Sequence, residues 1–230
     1  ATTEIYTLAL HDALPISALA GAFTLVFVCL ITKSFGGKSF AVGLSALGFI
    51  AVPIWLSVDS IFCYDSIDQL VLAGFLYTLV RFLQTGNRKL WLVLGLLAGI
   101  ACMTKMTILF LGPGFLAGLL VSKYRKDLLS PWPWLGAALC LVIVSPYLLW
   151  QHSNHWPTLE YWLNYGTWRV YQASIGQYFT NLSMYMGPLL LPLWVMGLYR
   201  IFRRLDGVDY SFLGVLFIAT LALMFSRSEE

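Results

Sequence analysis

Apolar runs separated by short charged turns make up most of the chain, and the turns differ in sign. The middle, Asp65–Val121, starts with acidic residues, runs apolar to Arg81, crosses a basic turn and then stays apolar except for Lys105. A second basic cluster follows this apolar run. Because basic loops mark the cytoplasmic side of a membrane, two of them around one apolar run require an even number of crossings. The pattern predicts a hairpin over Leu90–Val121, with its bend at Met103–Thr107.

The same rule predicts about eight spans for the whole chain. They are Ala18–Thr32, Phe40–Ser57, Gln69–Phe82, the two arms of the hairpin, Ser130–Trp150, Met184–Tyr199 and Ser211–Phe225. All four basic clusters then face the cytoplasm: Lys33/Lys38, Arg81/Arg88/Lys89, Lys123/Arg125/Lys126 and Arg200/Arg203/Arg204.

Composition agrees with a membrane protein. Hydrophobic residues make up 59% of the 230 residues and charged residues 11%, whereas water-soluble chains carry about 25% charge. The basic residues fit a topology signal, so no nucleic-acid partner is expected. The four cysteines stand alone in or beside apolar runs, which is typical of structural thiols. We predict an all-α, polytopic transmembrane helical bundle.

The first seventeen residues differ in character from the rest of the chain. They mix polar and apolar residues, lack a basic start, and give way abruptly to apolar sequence at Ala18. Their sequence resembles the translation of a synthetic DNA-sequencing adapter. We expect residues 1–17 to be a non-native lead-in and 18–230 to be part of the transmembrane domain of a longer protein, with a genuine amphipathic lead-in as the alternative. His11 and Asp12 are therefore excluded from the candidate site.

Charged residues on the predicted outer face are the first candidates for chemistry. Lys105 falls there together with three acids, Asp59, Asp65 and Asp68. Asp65 and Asp68 are three residues apart, so a helix starting there places both on one face at its N-terminus. A lysine between apolar arms must face water or an anion, which favours a phosphate contact. Asp59 and Asp68 are candidates for contacts with an acceptor or within the loop. The alternatives are a snorkelling lysine, a helix cap at Asp65 and solvated loop acids.

The outer segment Gln151–Asn181 is dense in tryptophan and tyrosine, as expected at the headgroup level of a membrane. A short in-plane helix is predicted from the spacing of Tyr161, Tyr165, Trp168 and Gln172. Its charges, Glu160 and Arg169, are candidates for contacts with a polar acceptor and a lipid phosphate. His152 and His155 are candidate loop or acceptor contacts. They would share a metal only if the backbone were helical there, and no third ligand is evident. A plain aromatic belt is the alternative for the whole segment.

Several motifs in order carry a family resemblance. They are Tyr64–Leu70, Trp91–Gly99 through Thr104-Lys105 to Gly112–Gly114, Ser130–Gly136, Leu149–Gln151, Trp156–Glu160 and Gly187–Trp194. With this order the chain, over nearly all of Ala18–Phe225, resembles bacterial glycosyltransferase family 39. These proteins are relatives of the protein O-mannosyltransferases and of the aminoarabinose transferase that modifies lipid A.

The resemblance implies an inverting transferase with a C-type glycosyltransferase fold in the bacterial inner membrane. Such enzymes transfer a sugar from a polyprenyl-phosphate donor to lipid A, a glycan or a protein on the outer face of the membrane. Asp65 matches a secondary catalytic acid of the family, and Lys105 matches the lysine of its Thr-Lys motif. No cofactor is firmly implied, although a divalent metal is a candidate. The family's principal acid, in a first outer loop, has no match in residues 18–230, so the chain as given is expected to be nearly inactive.

Two other functions remain open. A transporter or flippase for lipid-linked sugars shares many spans and a cationic pocket, but it predicts ionisable groups near mid-membrane on broken helices. A non-catalytic membrane subunit is the second alternative, and it is compatible with the missing principal acid.

Overall fold

A computed structural model describes residues 2–61, 63–168, 174–202 and 208–226, and within these ranges the regular structure is almost entirely helical. The α-helices are α1 (Thr2–Ser34), α2 (Ser39–Ile50), α3 (Pro53–Asp59), α4 (Tyr64–Thr85), α5 (Leu90–Thr104), α6 (Ile108–Val121), α7 (Pro131–Ser153), α8 (Pro157–Trp168), α9 (Ile175–Met186), α10 (Leu191–Ile201) and α11 (Ser211–Ser226). Short 3-10 helices occupy Lys123–Leu129 and Pro188–Leu190.

Three of the described helices are long and apolar enough to cross a membrane alone: Pro15–Ser34, Tyr64–Thr85 and Pro131–Ser153. Three further pairs of helices, each bent at a short break, raise the number of candidate spans to as many as six. The hairpin arm Leu90–Thr104 and the helix Ser211–Leu223 are shorter apolar helices. The prediction of an all-α membrane bundle is confirmed, whereas the count of about eight spans stays a prediction.

Contacts at one end of the bundle confirm the hairpin. Arg88, which precedes α5, forms an ion pair of 3.2 Å with Asp127, which follows α6. At the same end the Tyr124 hydroxyl donates to the carbonyl of Leu83 at 2.6 Å. Gln84 donates to the Tyr210 hydroxyl at 2.8 Å. Since the start of α5 and the end of α6 meet here, the chain between them makes two passes, as the charge pattern predicts. We call this the basic end.

Each arm of the hairpin packs mainly on a helix outside the hairpin, α5 on α7 and α6 on α11. Close approach depends on glycines spaced four apart, Gly95 with Gly99 and Gly114 with Gly118. A Cβ on Gly95 would lie 2.1 Å from the carbonyl oxygen of Gly136, and one on Gly118 would lie 2.9 Å from that of Phe212. Small residues at this spacing let membrane helices pack backbone against backbone.

We expect Gly95→Ala to destabilise the bundle by about 1–3 kcal/mol, because the added methyl group overpacks a contact made by backbone atoms. Gly112→Ala in α6 is the matched control, since a Cβ there meets no atom within 4 Å. The control should be neutral or gain up to about 1 kcal/mol of helix propensity. Unfolding in mixed micelles measures both, and equal effects would contradict close packing at Gly95.

Two predicted spans are not straight helices. The run Phe40–Ser57 is divided between α2 and α3, which meet at 70° just before Pro53. Proline cannot donate the backbone hydrogen bond that would continue α2. The predicted span Met184–Tyr199 is also bent near its start. A 91° bend separates α9 from the following helical pair, and it falls at Gly187, whose φ of 82° suits glycine.

Candidate functional site

The turn between the hairpin arms carries the candidate site. It lies at the end of the bundle opposite the basic end, which we call the acidic end. Helix α5 ends at Thr104 and α6 begins at Ile108. Lys105 itself is extended, with φ −155° and ψ 136°. The turn packs beside the N-terminus of α4, which begins at Tyr64, so the two acids predicted to lie on one helical face do lie on its first turns.

Lys105 and Asp65 form an ion pair by direct contact of Nζ with Oδ1. The side chains keep 41% and 36% of their accessible surface, so the pair is open to a ligand. The ammonium also lies 5.6 Å from the centre of the Tyr64 ring, a cation–π contact. The hydrogen bond to Asp65 raises the pKa of Lys105, which keeps the ammonium charged at neutral pH. The arrangement offers a reachable cation to an anion.

Asp68 has a different environment. It is only 5% exposed. Its Oδ1 accepts a hydrogen bond from the Thr104 hydroxyl at 3.3 Å, and its Oδ2 accepts one from Thr107 at 2.7 Å. These residues flank Lys105 on both sides, so Asp68 ties the turn to α4. Its burial and occupied oxygens favour a positioning role over the acceptor contact suggested by the sequence.

We expect Asp68→Ala to lower the free energy of unfolding by about 1–3 kcal/mol, because the threonine hydroxyls lose a charged acceptor. Arg88→Gln, which removes the half-exposed ion pair at the basic end, should cost less than about 1 kcal/mol. Unfolding in mixed micelles measures both variants. Equal losses would contradict the assignment of Asp68 to the turn.

A cavity of about 220 Å³ lies beside the same turn. Met106 and Leu109 line one side, and Trp156 and Leu159, from the outer segment, line the other. The cavity wall is apolar because the nearby hydroxyl and amide groups of α7 and α8 bond one another. The structure thus brings together the two regions that the sequence singled out separately.

The other predicted site residues differ in burial and backbone conformation. Asp59, at the end of α3, is half-buried and packs against Gly21 of α1. His152, His155 and Glu160 are exposed. His155 follows the end of α7 with a φ of 61°, so the backbone is not helical through both histidines. Arg169 lies outside the described residues, as does Gln172.

The in-plane helix predicted for the outer segment has a counterpart in α8, which includes Tyr161, Tyr165 and Trp168. In the described part of the chain, no group of three or more His, Cys, Asp or Glu residues could hold a metal ion. The divalent metal therefore stays a prediction.

Several residues of the site were not singled out by sequence reasoning. Thr107 was predicted only as part of the bend, and nothing in the sequence pointed to its hydrogen bond with Asp68. Tyr147 and Gln151 lie four apart in an otherwise apolar stretch of α7, which puts their side chains on one face. That spacing of polar groups near the end of an apolar helix was a usable signal.

Comparison with known proteins gives one match. The sequence model of the dolichyl-phosphate-mannose-protein mannosyltransferase family matches residues 3–150. The matched part includes Asp65, Lys105 and α7 up to Trp150, and it begins within the predicted lead-in. No curated protein and no solved structure matches the chain.

Proposed function

The chain belongs to the dolichyl-phosphate-mannose-protein mannosyltransferase family, and from this premise we propose a specific transfer reaction for it. It is an integral membrane glycosyltransferase, and the expected resemblance to family 39 is confirmed. We propose that it moves a sugar, with inversion, from a polyprenyl-phosphate donor to a lipid, glycan or protein acceptor. The proposed place is the outer face of a bacterial plasma membrane.

One observation supports this proposal above the others, namely the half-exposed Lys105–Asp65 pair at the acidic end of the bundle. The basic turns around the hairpin lie at the basic end. At the acidic end, Lys105 is the lysine of the hairpin that an anion can reach. Ionisable groups are kept in membrane proteins where they have a function. A lipid phosphate at the membrane surface is an anion of the right kind.

The chemistry of the transfer fits such a cation. The acceptor hydroxyl oxygen bonds to the anomeric carbon from the face opposite the phosphate, and the bond from that carbon to the phosphate oxygen breaks. The electron pair stays on the released lipid phosphate, where Lys105 stabilises the growing negative charge. A carboxylate takes the proton of the hydroxyl.

We assign Asp65 a role that acts through Lys105. The sequence suggested it as a catalytic acid, but its Oδ1 is already engaged by the Lys105 ammonium. The family resemblance implies another acid, in a first outer loop, as the principal proton acceptor. Asp65 then balances Lys105 before the donor arrives and orients the ammonium towards the phosphate. Arg169 is proposed as a second phosphate contact.

The test uses the full-length protein in vesicles loaded with a radiolabelled polyprenyl-phosphate sugar. We expect the label to move to an acceptor by a reaction that Lys105→Gln slows by about 10²–10³-fold. Movement of intact donor across the bilayer without transfer would instead favour a flippase. Neither movement nor transfer, in a protein that inserts normally, would favour a non-catalytic subunit.

A further inference from the structure

A buried glutamine, Gln151, stands out among the polar groups that the proposed reaction does not use. It lies near the C-terminus of α7 and is 1% exposed. Its amide nitrogen donates to the Tyr147 hydroxyl and to the Thr158 hydroxyl. Its amide oxygen accepts from the Thr158 backbone N–H at 3.2 Å. The side chain therefore joins the end of α7 to the start of α8.

The same residue holds the turn between these helices through its backbone. The carbonyl of Gln151 accepts the N–H of Trp156 at 2.8 Å. Inside this turn His155 and Trp156 have φ values of 61° and 60°. Two consecutive non-glycine residues with left-handed backbone are strained. Such a conformation persists where contacts with the surrounding structure hold it in place. Gln151 supplies that constraint from both its backbone and its side chain.

The turn held in this way forms one side of the cavity beside Lys105. Trp156 is 43% exposed and lines the cavity together with Met106, the residue after Lys105. Tyr147 bridges the two sides, since its hydroxyl bonds Thr158 at 2.7 Å and lies 4.0 Å from the sulfur of Met106. A continuous chain of contacts thus runs from Gln151 to the turn that carries Lys105.

We infer that Gln151 is a positioning residue that holds the Asn154–Pro157 turn against the Lys105 turn and so fixes the shape of the cavity between them. Its role in the reaction rests on the proposed function, because the cavity adjoins the proposed phosphate contact. The claim that Gln151 holds the turn does not rest on the proposed function. The structural role and the role in the reaction can therefore be tested separately.

The structural test is chemical cross-linking across the cavity. Cysteines replace Met106 and Leu159, one from each side, in the full-length protein whose other cysteines are alanine. A short bifunctional thiol reagent should join them readily. We expect Gln151→Leu to lower the cross-linking rate by about fivefold or more, because the variant keeps the bulk of the side chain but loses its hydrogen bonds.

Gln84→Leu is the matched control. Gln84 also bridges helices through its amide, donating to Ser34 and Tyr210, but at the basic end. The control should leave the cross-linking rate unchanged. Tyr147→Phe is the milder second variant, and it decides the question if Gln151→Leu does not accumulate. It keeps the ring and removes the hydroxyl, so a smaller decrease is expected.

The kinetic test follows sugar transfer by the Gln151→Leu variant without added cysteines. We expect KM for the lipid-linked donor to rise by about tenfold, with kcat changed by less than about threefold, because misplacement of a binding wall weakens substrate positioning. Unchanged cross-linking in both Gln151→Leu and Tyr147→Phe overturns the inference. Cross-linking that falls in a protein without any transfer activity supports the positioning role and overturns the proposed function alone.

Discussion

Replacing Lys105 with glutamine is expected to reduce kcat for sugar transfer by about 10²–10³, the usual cost of removing one preorganised group that stabilises transition-state charge. Glutamine keeps most of the length of the lysine side chain and can still donate a hydrogen bond. The decrease in kcat therefore measures the effect of removing the positive charge. Transfer from a radiolabelled polyprenyl-phosphate sugar, measured in vesicles at saturating donor, gives kcat directly.

Lys89→Gln is the control for this variant. Lys89 is exposed at the basic end, just before α5, and its replacement removes the same charge from the same hairpin. It should leave kcat within about twofold, since exposed charges far from the site act only through a screened field. Equal losses in the two variants would remove Lys105 from the mechanism.

Replacing Asp65 with asparagine is expected to have the second-largest effect, a decrease of about 10–100-fold in kcat/KM. The variant keeps the shape of the carboxylate but leaves the ammonium of Lys105 without its charged partner, so the lysine is less well oriented. Because Asp65 acts through Lys105, the double variant should lose about as much as Lys105→Gln alone. The measurement is a double-mutant cycle on kcat/KM.

Additive losses in that cycle would contradict the assignment. They would mean that Asp65 meets the substrate by itself, as an acid that takes the proton of the acceptor. Asp65→Glu gives an independent control, because it restores the charge with a longer side chain. It should recover part of the activity if the charge next to Lys105 is what matters.

The hairpin could be predicted because its physical cause lies in the local order of charged and apolar residues. Basic turns such as Arg81–Lys89 cannot enter the membrane, and apolar runs between them must cross it, so the hairpin and the acidic-end position of Lys105 followed from charge alone. The three-residue spacing of Asp65 and Asp68 placed both on one helical face. These predictions need only the order of residues.

Packing could not be predicted in the same way. Hydrophobicity does not say which apolar helix meets which, since lipid and protein surfaces are equally apolar. The arms of the hairpin pack on α7 and α11 because the backbones come into close contact at Gly95 and Gly118. The G-x-x-x-G spacing on each arm was visible in the sequence, but its partners were not.

The candidate site shows the same division. The shared location of Lys105 and the acids was predicted, although the ion pair itself was not. The cavity was not predicted either, because its walls come from distant segments that contribute Met106 and Trp156. The strained turn at His155 and Trp156 was also hidden, because a bulky residue such as Trp156 is rarely found in left-handed backbone. Tertiary contacts, and above all those of Gln151, determine that turn.

Equilibrium binding of polyprenyl phosphate to the full-length protein and to its Lys105→Gln variant tests the central claim most directly. A charge-assisted contact contributes about 1.5–3 kcal/mol, so the account predicts that Kd rises by about 10–100-fold in the variant and stays unchanged in Lys89→Gln. Equal Kd values for the full-length protein and the Lys105→Gln variant would contradict the claim that this lysine receives the lipid phosphate.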